Sequence, residues 1–326
     1  MEGKCKVLVT RHIPYVLEQL AKDPNVIVDC YEHADVAIPP AELVARAAGC
    51  TGILCMITDK ITPQVLDSAG PSLQVVSTIS AGFDHIDVAA CRARGVAVGH
   101  TPGCLHVSTA ELAVSLTFAI KRRLLESHKS AVAGEWGVIQ VYQYCGSDVS
   151  GCTVGVIGLG EIGLAYARML QNGFGCRILY TGPREKAAAD LGGLRATFVD
   201  LPTLLSESDV VSLHCPLTPA TRHLIDAPAL GLMKPGAVLI NTARGDVVDQ
   251  DALVAALQSK PIAAALDVTT PEPLPPAHPL FHLPNCIVVP HIASATLRTR
   301  HAMCDRGLAN VLAGVASRPL PTPVPQ

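Results

Sequence analysis

The chain has 326 residues, which at about 150 residues per domain is consistent with two domains. Apolar residues make up 49% of the sequence and charged residues only 16%, a composition that excludes a disordered chain. The 25 Lys and Arg residues do not exceed the 28 Asp and Glu residues, so no basic excess favours binding to nucleic acid or to an anionic membrane. No apolar stretch reaches the roughly 18 residues of a bilayer-spanning helix, and no secretory signal is recognisable, so we expect a cytoplasmic protein.

Short apolar runs alternate with helical stretches along the chain, which predicts parallel sheets with helices on both faces. The predicted strands form two series, at 6–10, 26–31, 52–55, 74–79 and 96–100, and then at 153–157, 176–180, 210–214, 237–241, 262–268 and 287–290. The expected fold class is therefore α/β, with two Rossmann-like or flavodoxin-like doubly wound parallel-sheet domains and a cleft between them.

The segments between the strands suggest where the domains divide. An uninterrupted run at 108–125 predicts one helix linking the two series, and a last helical stretch at 296–316 needs a sheet to pack on. We expect this last helix to return to the first domain. The prediction is a substrate-binding domain at 1–103, completed by 291–326, and a dinucleotide-binding domain at 104–290. The final SRPLPTPVPQ is expected to lack regular structure because of its prolines.

A strand, a glycine-rich turn and a helix start follow one another at 153–163. Gly158, Gly160 and Gly163 form the G-x-G-x-x-G pattern, and Glu161 and Ile162 lie within it. In this context the pattern lets the backbone approach a pyrophosphate at a helix N-terminus, although such a turn can also serve only for tight packing. The pattern therefore predicts dinucleotide binding.

The end of the next predicted strand bears on which dinucleotide is bound. A NAD-binding domain usually has an acidic residue about 20 positions after the glycines, where its carboxylate binds the ribose hydroxyls. Thr181 stands there instead, and the cations Arg184 and Lys186 follow it. This arrangement favours a 2′-phosphate, so NADP(H) is predicted in preference to NAD(H). The alternative is that Arg184 and Lys186 only form a solvated surface.

Arg244, Glu272 and His291 each follow a predicted strand of the second series. Because the carboxyl ends of parallel strands meet at one edge of a sheet, we expect these side chains to converge. Reduction of a 2-keto acid needs a bidentate cation for the substrate, a proton donor for the developing alkoxide, and a carboxylate that favours the charged donor. Arg244, His291 and Glu272 fit these roles in that order. No metal site is predicted, because the Cys and His residues show no ligand spacing.

The segments GLGEIG, NTARGDVVDQDAL, ALDVTTPEPLPPAHPL and PHIASAT resemble the D-isomer-specific 2-hydroxyacid dehydrogenase family, closest to its glyoxylate/hydroxypyruvate reductases. The resemblance implies that Arg244 binds the substrate and its carbonyl group, that Glu272 supports His291, and that His291 donates the proton. It also implies substrate contacts from the backbone amides of Ala81 and Gly82 and from Ser294. For the cofactor it implies a set of lining residues, namely Thr109, Gly160 to Ile162, Cys215, Thr242 and Asp267.

The chain departs from the family pattern at three positions. Ala265 and Ala293 replace usual glycines, and Ile139 stands where these reductases often carry an aromatic residue that reaches a neighbouring subunit. The last departure leaves the preferred substrate open. That the protein is a homodimer is implied by the resemblance alone.

The leading hypothesis is an NADPH-dependent reductase that converts glyoxylate, hydroxypyruvate or a similar 2-keto acid to the D-2-hydroxy acid. A second hypothesis is a dinucleotide-sensing, corepressor-like scaffold of the same fold, which would bind the cofactor without turnover. A third retains the reaction but changes the substrate to 2-ketogluconate, a phosphoglycerate-type acid or a bulkier keto acid.

Overall fold

The chain forms two compact α/β units, each with its own sheet. The structure, a computed structural model, describes residues 4–325. Unit 1 comprises the described residues up to Leu105 together with those from Thr296 onward, and unit 2 is His106–Ala295. Unit 2 thus extends past the predicted boundary at 290, because backbone amides in this stretch are hydrogen-bonded to Asp267 of the same unit.

Unit 1 contains a sheet of five parallel strands, namely β1 (Cys5–Val9), β2 (Val26–Cys30), β3 (Gly52–Cys55), β4 (Val75–Thr78) and β5 (Ala97–Gly99). Their spatial order is β2-β1-β3-β4-β5, the flavodoxin-like order. The strands are connected by α1 (Pro14–Leu20), α2 (Pro40–Ala47), α3 (Pro63–Ala69) and α4 (Val88–Ala93). The first three of these helices begin with proline, whose fixed φ suits a first helical position.

Unit 2 contains a sheet of seven parallel strands, namely β6 (Thr153–Ile157), β7 (Arg177–Thr181), β8 (Ala196–Phe198), β9 (Val210–Leu213), β10 (Val238–Asn241), β11 (Ala263–Leu266) and β12 (Cys286–Val288). Their spatial order is β12-β11-β10-β9-β6-β7-β8, a Rossmann-like order with its switch point between β6 and β9. Its helices are α5 (His106–Lys121), α6 (Leu124–Val132), α7 (Glu161–Phe174), α8 (Ala188–Leu191), α9 (Leu201–Glu207), α10 (Ala227–Leu232) and α11 (Gln250–Ser259). The predicted fold class of two doubly wound parallel sheets is confirmed.

The central strands of unit 2 are buried along their whole length, as a sheet covered on both faces requires. Every residue of β9 and β10 is buried. Three of the surrounding helices begin at aspartates, Asp200, Asp226 and Asp249, which each accept a hydrogen bond from the backbone amide three residues later. Each such cap stabilises its helix by about 1 kcal/mol and fixes where the preceding loop ends.

Helix α12 (Leu297–Val315) packs within unit 1, on β3, β4 and β5. Glycines permit the close approach: a Cβ atom at Gly99 would lie 2.7 Å from the Asn310 side chain. A Cβ atom at Gly314 would overlap the side chain of Val75. Neither α12 nor any other helix in residues 4–325 has both the length and the apolar character needed to cross a membrane.

The run at 108–125 does not form the single helix expected from its sequence. Helix α5 ends at Lys121, α6 begins at Leu124, and Arg123 between them has a left-handed backbone with a φ of +49°. The amide of Ser147 donates to the Lys121 carbonyl at 2.9 Å. In a continuing helix the Lys121 carbonyl would accept a hydrogen bond from the amide four residues later. Here a tertiary hydrogen bond from Ser147 replaces that bond.

Candidate functional site

The glycine-rich turn after β6 is shaped by contacts that only glycine permits. Gly158 has a φ of +92°, and a Cβ atom there would lie 2.7 Å from the amide nitrogen of Cys215. A Cβ atom at Gly163 would overlap the carbonyl oxygen of Gly158, so this glycine lets α7 pack against the turn. At Gly160, in contrast, a Cβ atom would have no neighbour within 4 Å. The turn is therefore closed on its inner side and open at Gly160.

Helix α7 begins at this opening without a side-chain cap. Its N-cap is Gly160, and its first residues are Glu161 and Ile162. The first amides of a helix lack intrahelical partners and carry partial positive charge, so they favour an anion such as a pyrophosphate. The turn and the helix start therefore fit a dinucleotide.

Strand β7, next to β6, ends at the half-buried Thr181. Arg184 is exposed, and the loop is tied to β7 because the amide of Lys186 donates to the Tyr180 hydroxyl at 3.0 Å. Within residues 4–325, neither Arg184 nor Lys186 forms an ion pair with a carboxylate. Thr181 is therefore followed by two cationic side chains that have no ion-pair partner among the described residues.

The other side chains expected at the cofactor are buried. Thr109 lies in α5, and Cys215 follows shortly after β9. Burial raises the pKa of Cys215 to about 11, so its thiol is neutral at physiological pH. The buried Thr242 hydroxyl has no hydrogen-bond partner in the described part of the chain, and it is therefore available to a ligand.

His214 lies at the same edge, although no sequence pattern distinguishes it. It directly follows β9, and its Nε2 lies 2.8 Å from the hydroxyl of Ser212. Burial lowers the pKa of His214 to about 3, which keeps the ring neutral. A Cβ atom at Gly158 would lie 2.9 Å from the His214 carbonyl carbon. The backbone of His214 therefore packs behind the glycine turn, while its neutral imidazole lies against Ser212 and Tyr166.

Strands β10, β11 and β12 lie side by side, and the loops after them carry the three residues predicted to be catalytic. The last residues of these strands are aligned in register. The loops that bear Arg244, Glu272 and His291 therefore leave the sheet at neighbouring points of one edge.

Glu272 and His291 are brought together at this edge. Nδ1 of His291 lies 2.9 Å from Oε2 of Glu272, and Oε1 of the same carboxylate accepts a hydrogen bond from the amide of Thr269 at 3.0 Å. A carboxylate can only accept, so the proton of this contact lies on Nδ1 and the ring's Nε2 is left to exchange a proton with a ligand. The two side chains are 35% and 32% exposed, so a ligand can reach the pair.

The loop that carries Arg244 packs directly on the loop after β11. A Cβ atom at Gly245 would overlap the carbonyl group of Thr269. Asn241 holds this loop: its Nδ2 donates to the Arg244 carbonyl at 2.8 Å, and its Oδ1 accepts from the Ala243 amide at 3.0 Å. The guanidinium Nη1 of Arg244 donates to the Ala243 carbonyl at 2.8 Å, and the side chain is partly exposed. The two loops thus form one packed cluster.

Asp267 holds the loop that carries His291. Its Oδ1 accepts from the amide of Ile292 at 2.6 Å and its Oδ2 from the amide of Ala293 at 3.0 Å. His291 has a φ of +51°. This conformation costs a non-glycine residue about 1–3 kcal/mol, which contacts with the surrounding structure must offset. Burial raises the pKa of Asp267, against the opposing effect of these two amides. Asp267 therefore fixes the backbone beside His291, and Ser294 lies buried in the same loop.

Thr269 and Gln250 also belong to this cluster, and sequence reasoning missed both. Nε2 of Gln250 donates to the Thr270 carbonyl at 2.6 Å, and its Oε1 accepts from the Thr270 amide at 3.0 Å. Gln250 therefore holds the backbone that carries Glu272. The only available signal was position, since Thr269 adjoins the proline-stiffened TPEP segment and Gln250 begins a helix after NTARGDVVD.

In unit 1, the loop after β4 has two successive carbonyl groups held from one side. The Ser80 carbonyl accepts from the amide of Thr101 at 2.8 Å, and the Ala81 carbonyl accepts from Nδ1 of His100 at 2.7 Å. In a planar trans peptide the C=O and N–H groups point in opposite directions. The amides of Ala81 and Gly82 therefore point away from Thr101 and His100, and within residues 4–325 they donate to no protein group. Two such amides suit an anion.

These features together define a class of protein. Unit 2 combines a dinucleotide-type glycine turn with a histidine–carboxylate pair at the carboxyl edge of one sheet. Of the residues described, no three His, Cys, Asp or Glu side chains are grouped so that they could hold a metal ion. The arrangement is that of a dinucleotide-dependent oxidoreductase.

Comparison with known sequences identifies the family. Residues 114–293 match the family described as "D-isomer specific 2-hydroxyacid dehydrogenase, NAD binding domain". A human protein named "Glyoxylate reductase/hydroxypyruvate reductase" is 45% identical over 322 residues, 97% of each chain. A "Glyoxylate reductase" of Thermofilum pendens is 44% identical over 313 residues, 94% of this chain and 91% of that protein.

Solved structures agree with this. A Thermus thermophilus protein is 41% identical with a TM-score of 0.90, and the match covers 98% of this chain and all of that one. An NADPH-dependent glyoxylate/hydroxypyruvate reductase of Sinorhizobium meliloti, solved with NADP and malonate, is 33% identical with a TM-score of 0.85, over 99% of this chain and 97% of that one. The chain belongs to the D-isomer specific 2-hydroxyacid dehydrogenase family. It is an oxidoreductase that uses a nicotinamide dinucleotide to interconvert keto and hydroxy acids.

Proposed function

We propose that the chain reduces a small 2-keto acid of the glyoxylate or hydroxypyruvate type to the D-2-hydroxy acid, with NADPH as the preferred cofactor. The human and Thermofilum pendens relatives carry one or both of these substrates in their names, and each resembles this chain over more than nine-tenths of its length. In this proposal unit 2 binds the dinucleotide and unit 1 contributes to substrate binding.

The pair of His291 and Glu272 is the observation that carries the proposal. When bound, a reduced nicotinamide supplies the hydride that reduces the keto carbon. His291 donates the proton to the keto oxygen through Nε2, while its Nδ1 stays bonded to Glu272. Because the amide of Thr269 holds the other carboxylate oxygen, the orientation of the imidazole is set before substrate binds. A positioned general acid of this kind contributes about 10²- to 10⁴-fold to the rate.

Arg244 is assigned to the keto oxygen and the carboxylate of the substrate. A guanidinium presents a planar set of donors that matches a carboxylate or a pair of neighbouring oxygens. Its loop is held by Asn241 and packs on Thr269, so Arg244 is anchored to the backbone that orients Glu272. The amides of Ala81 and Gly82 and the hydroxyl of Ser294 are assigned further contacts with the substrate.

The residues after β7 support NADPH over NADH. A 2′-phosphate is stabilised by charge-assisted hydrogen bonds from Arg and Lys, whereas the ribose hydroxyls of NADH are bound by a carboxylate at the strand end. Here the strand ends in Thr181, and Arg184 and Lys186 are not neutralised by ion pairs within residues 4–325.

We also propose a homodimer that buries an apolar surface on α6 and the loop after it. Six large side chains there are between 75% and 91% exposed, namely Val132, Trp136, Val138, Ile139, Val141 and Tyr142. Large apolar patches are uncommon on monomers and mark protein interfaces. Light scattering should give the mass of two chains, and Trp136→Asp should shift the protein towards one chain. A wild-type monomer at working concentration would contradict the proposal.

A panel of keto acids assayed with NADPH and with NADH tests the function. We expect the highest kcat/KM for glyoxylate or hydroxypyruvate with NADPH. Tight NADPH binding without turnover of any keto acid would reject the enzyme and favour a dinucleotide-sensing scaffold. Turnover confined to 2-ketogluconate, a phosphorylated acid or a bulkier keto acid would retain the reaction and reject the substrate.

A further inference from the structure

The proline-rich segment 317–325 is bonded to the edge strand of the unit 1 sheet. The amide of Val324 donates to the Val98 carbonyl at 2.9 Å, and Pro323 forms an isolated antiparallel bridge with Gly99. The side chain of Val324 is buried. A segment without a helix or strand of its own therefore covers the open edge of β5.

Thr322, in this segment, and Asn310, in α12, hold both backbone groups of His100. The His100 carbonyl accepts from Oγ1 of Thr322 at 2.6 Å and from Nδ2 of Asn310 at 3.0 Å. The His100 amide donates to the Thr322 carbonyl at 3.1 Å, and the Thr322 amide donates to Oδ1 of Asn310 at 2.9 Å. Asn310 is fully buried, so water cannot replace a hydrogen bond that this network loses. The position of His100 therefore depends on Thr322.

The side chain of His100 extends this restraint to the loop after β4. Its Nδ1 donates to the Ala81 carbonyl at 2.7 Å. Its ring meets Phe83 edge to face, with the ring centroids 5.3 Å apart, and the residue is only 8% exposed. Because the peptide between Ala81 and Gly82 is planar, the direction of the held carbonyl determines the direction of the Gly82 amide.

We propose that His100 and Thr322 are positioning residues that orient the Gly82 amide for the carboxylate of the keto acid. Substrate affinity then depends on the segment 317–325. The inference rests on the proposed function for the identity of the ligand, whereas the restraint on the loop is independent of it. None of the bonds in this network involves the glycine turn or the Thr181 loop, so dinucleotide affinity is expected to be insensitive to it.

Three variants and a matched control test the network. Thr322→Val keeps the shape of the side chain and removes its hydroxyl, and His100→Leu removes the donor to Ala81. His100→Asn places an amide donor near the position of Nδ1 and should restore the bond. The control is Thr197→Val, the same substitution at an exposed threonine of β8 in unit 2. Each protein is assayed for kcat, for KM with glyoxylate and with NADPH, and for hydrogen–deuterium exchange of peptides covering 79–86.

Thr322→Val and His100→Leu are each expected to raise KM for glyoxylate about tenfold, the effect of losing about one hydrogen bond. In both, KM for NADPH should stay within about twofold of wild type. Exchange at 79–86, where the amides of Ile79 and Ile86 are hydrogen-bonded, should become faster. His100→Asn and Thr197→Val should stay within about twofold of wild type in every readout.

The proposal is overturned if KM for glyoxylate is unchanged in both disruptive variants, or if exchange at 79–86 is unchanged in both. An equal rise in KM for NADPH would also overturn it, because it would indicate a general loss of structure. If the wild-type protein reduces no keto acid, the proposed function fails. The exchange measurement then decides by itself whether His100 and Thr322 hold the loop.

Discussion

His214 gives the structure a specific pH dependence of stability. Burial lowers its pKa to about 3 in the folded protein, whereas a histidine in an unfolded chain titrates near pH 6.5. Below about pH 6.5 the unfolded chain therefore binds a proton that the folded chain does not bind, and acidification favours unfolding. The stabilisation is fully present above about pH 6.5 and is lost progressively as the pH falls towards 3.

The magnitude follows from the width of this window. Each pH unit within it costs about 1.4 kcal/mol, so the contribution of His214 falls by about 2 kcal/mol between about pH 7.5 and about pH 5. For a domain of this size, 1 kcal/mol corresponds to about 2–4 °C in Tm. His214→Gln retains a polar group near Ser212 but cannot be protonated. On acidification, the Tm of the wild type should therefore fall about 4–8 °C further than that of His214→Gln.

Thermal unfolding followed by far-ultraviolet circular dichroism at both pH values measures this difference. His128→Gln is the matched control, because His128 is exposed on α6 and its replacement should leave the wild-type pH dependence unchanged. Equal decreases in Tm for the wild type and His214→Gln would refute the inference that the imidazole of His214 is buried and neutral in the folded protein.

Three further predictions concern other parts of the site. Thr181→Asp should lower kcat/KM with NADPH at least about tenfold and raise it with NADH, because a carboxylate repels a 2′-phosphate and binds ribose hydroxyls; an unchanged preference in steady-state assays would contradict this. Gly158→Ala should weaken NADPH binding about ten- to a hundredfold in fluorescence titrations, because Gly158 has a left-handed backbone and a Cβ atom there would crowd the Cys215 amide. Gly160→Ala, where a Cβ atom has no close neighbour, should bind NADPH more tightly than Gly158→Ala. Arg244→Lys should lower kcat/KM for the keto acid about a hundredfold with NADPH binding retained, since an ammonium cannot bind two oxygens in one plane; activity within about twofold of wild type would exclude a bidentate role.

Strands were predicted well wherever a short run of mostly apolar residues is buried. The predicted strands at 52–55 and 153–157 coincide with β3 and β6. Strand β8 was missed because its three residues, Ala196–Phe198, contain no such run. The break at Arg123 was missed for a different reason, since it depends on a tertiary bond from Ser147 that local propensity does not encode.

In the candidate site, too, the features set by strand order were predicted from the sequence, whereas those set by long-range contacts were not. Because parallel strands end at one edge, the sequence led us to expect Glu272 and His291 near each other, and the structure places them 2.9 Å apart. The bonds of Asp267 to the amides after His291 depend on the backbone direction at one left-handed residue. The bond of His100 to Ala81 likewise depends on how a distant segment folds back. Such contacts leave no periodic pattern to detect.

The role of His291 as proton donor is the central claim, and turnover by His291→Gln tests it most directly. With NADPH and saturating glyoxylate, kcat should fall about 10²- to 10⁴-fold, because glutamine cannot supply an acidic proton. The dissociation constant for NADPH, measured on the same protein by fluorescence titration, should stay within about twofold of wild type. Near-normal kcat in a variant that still binds NADPH would contradict the account.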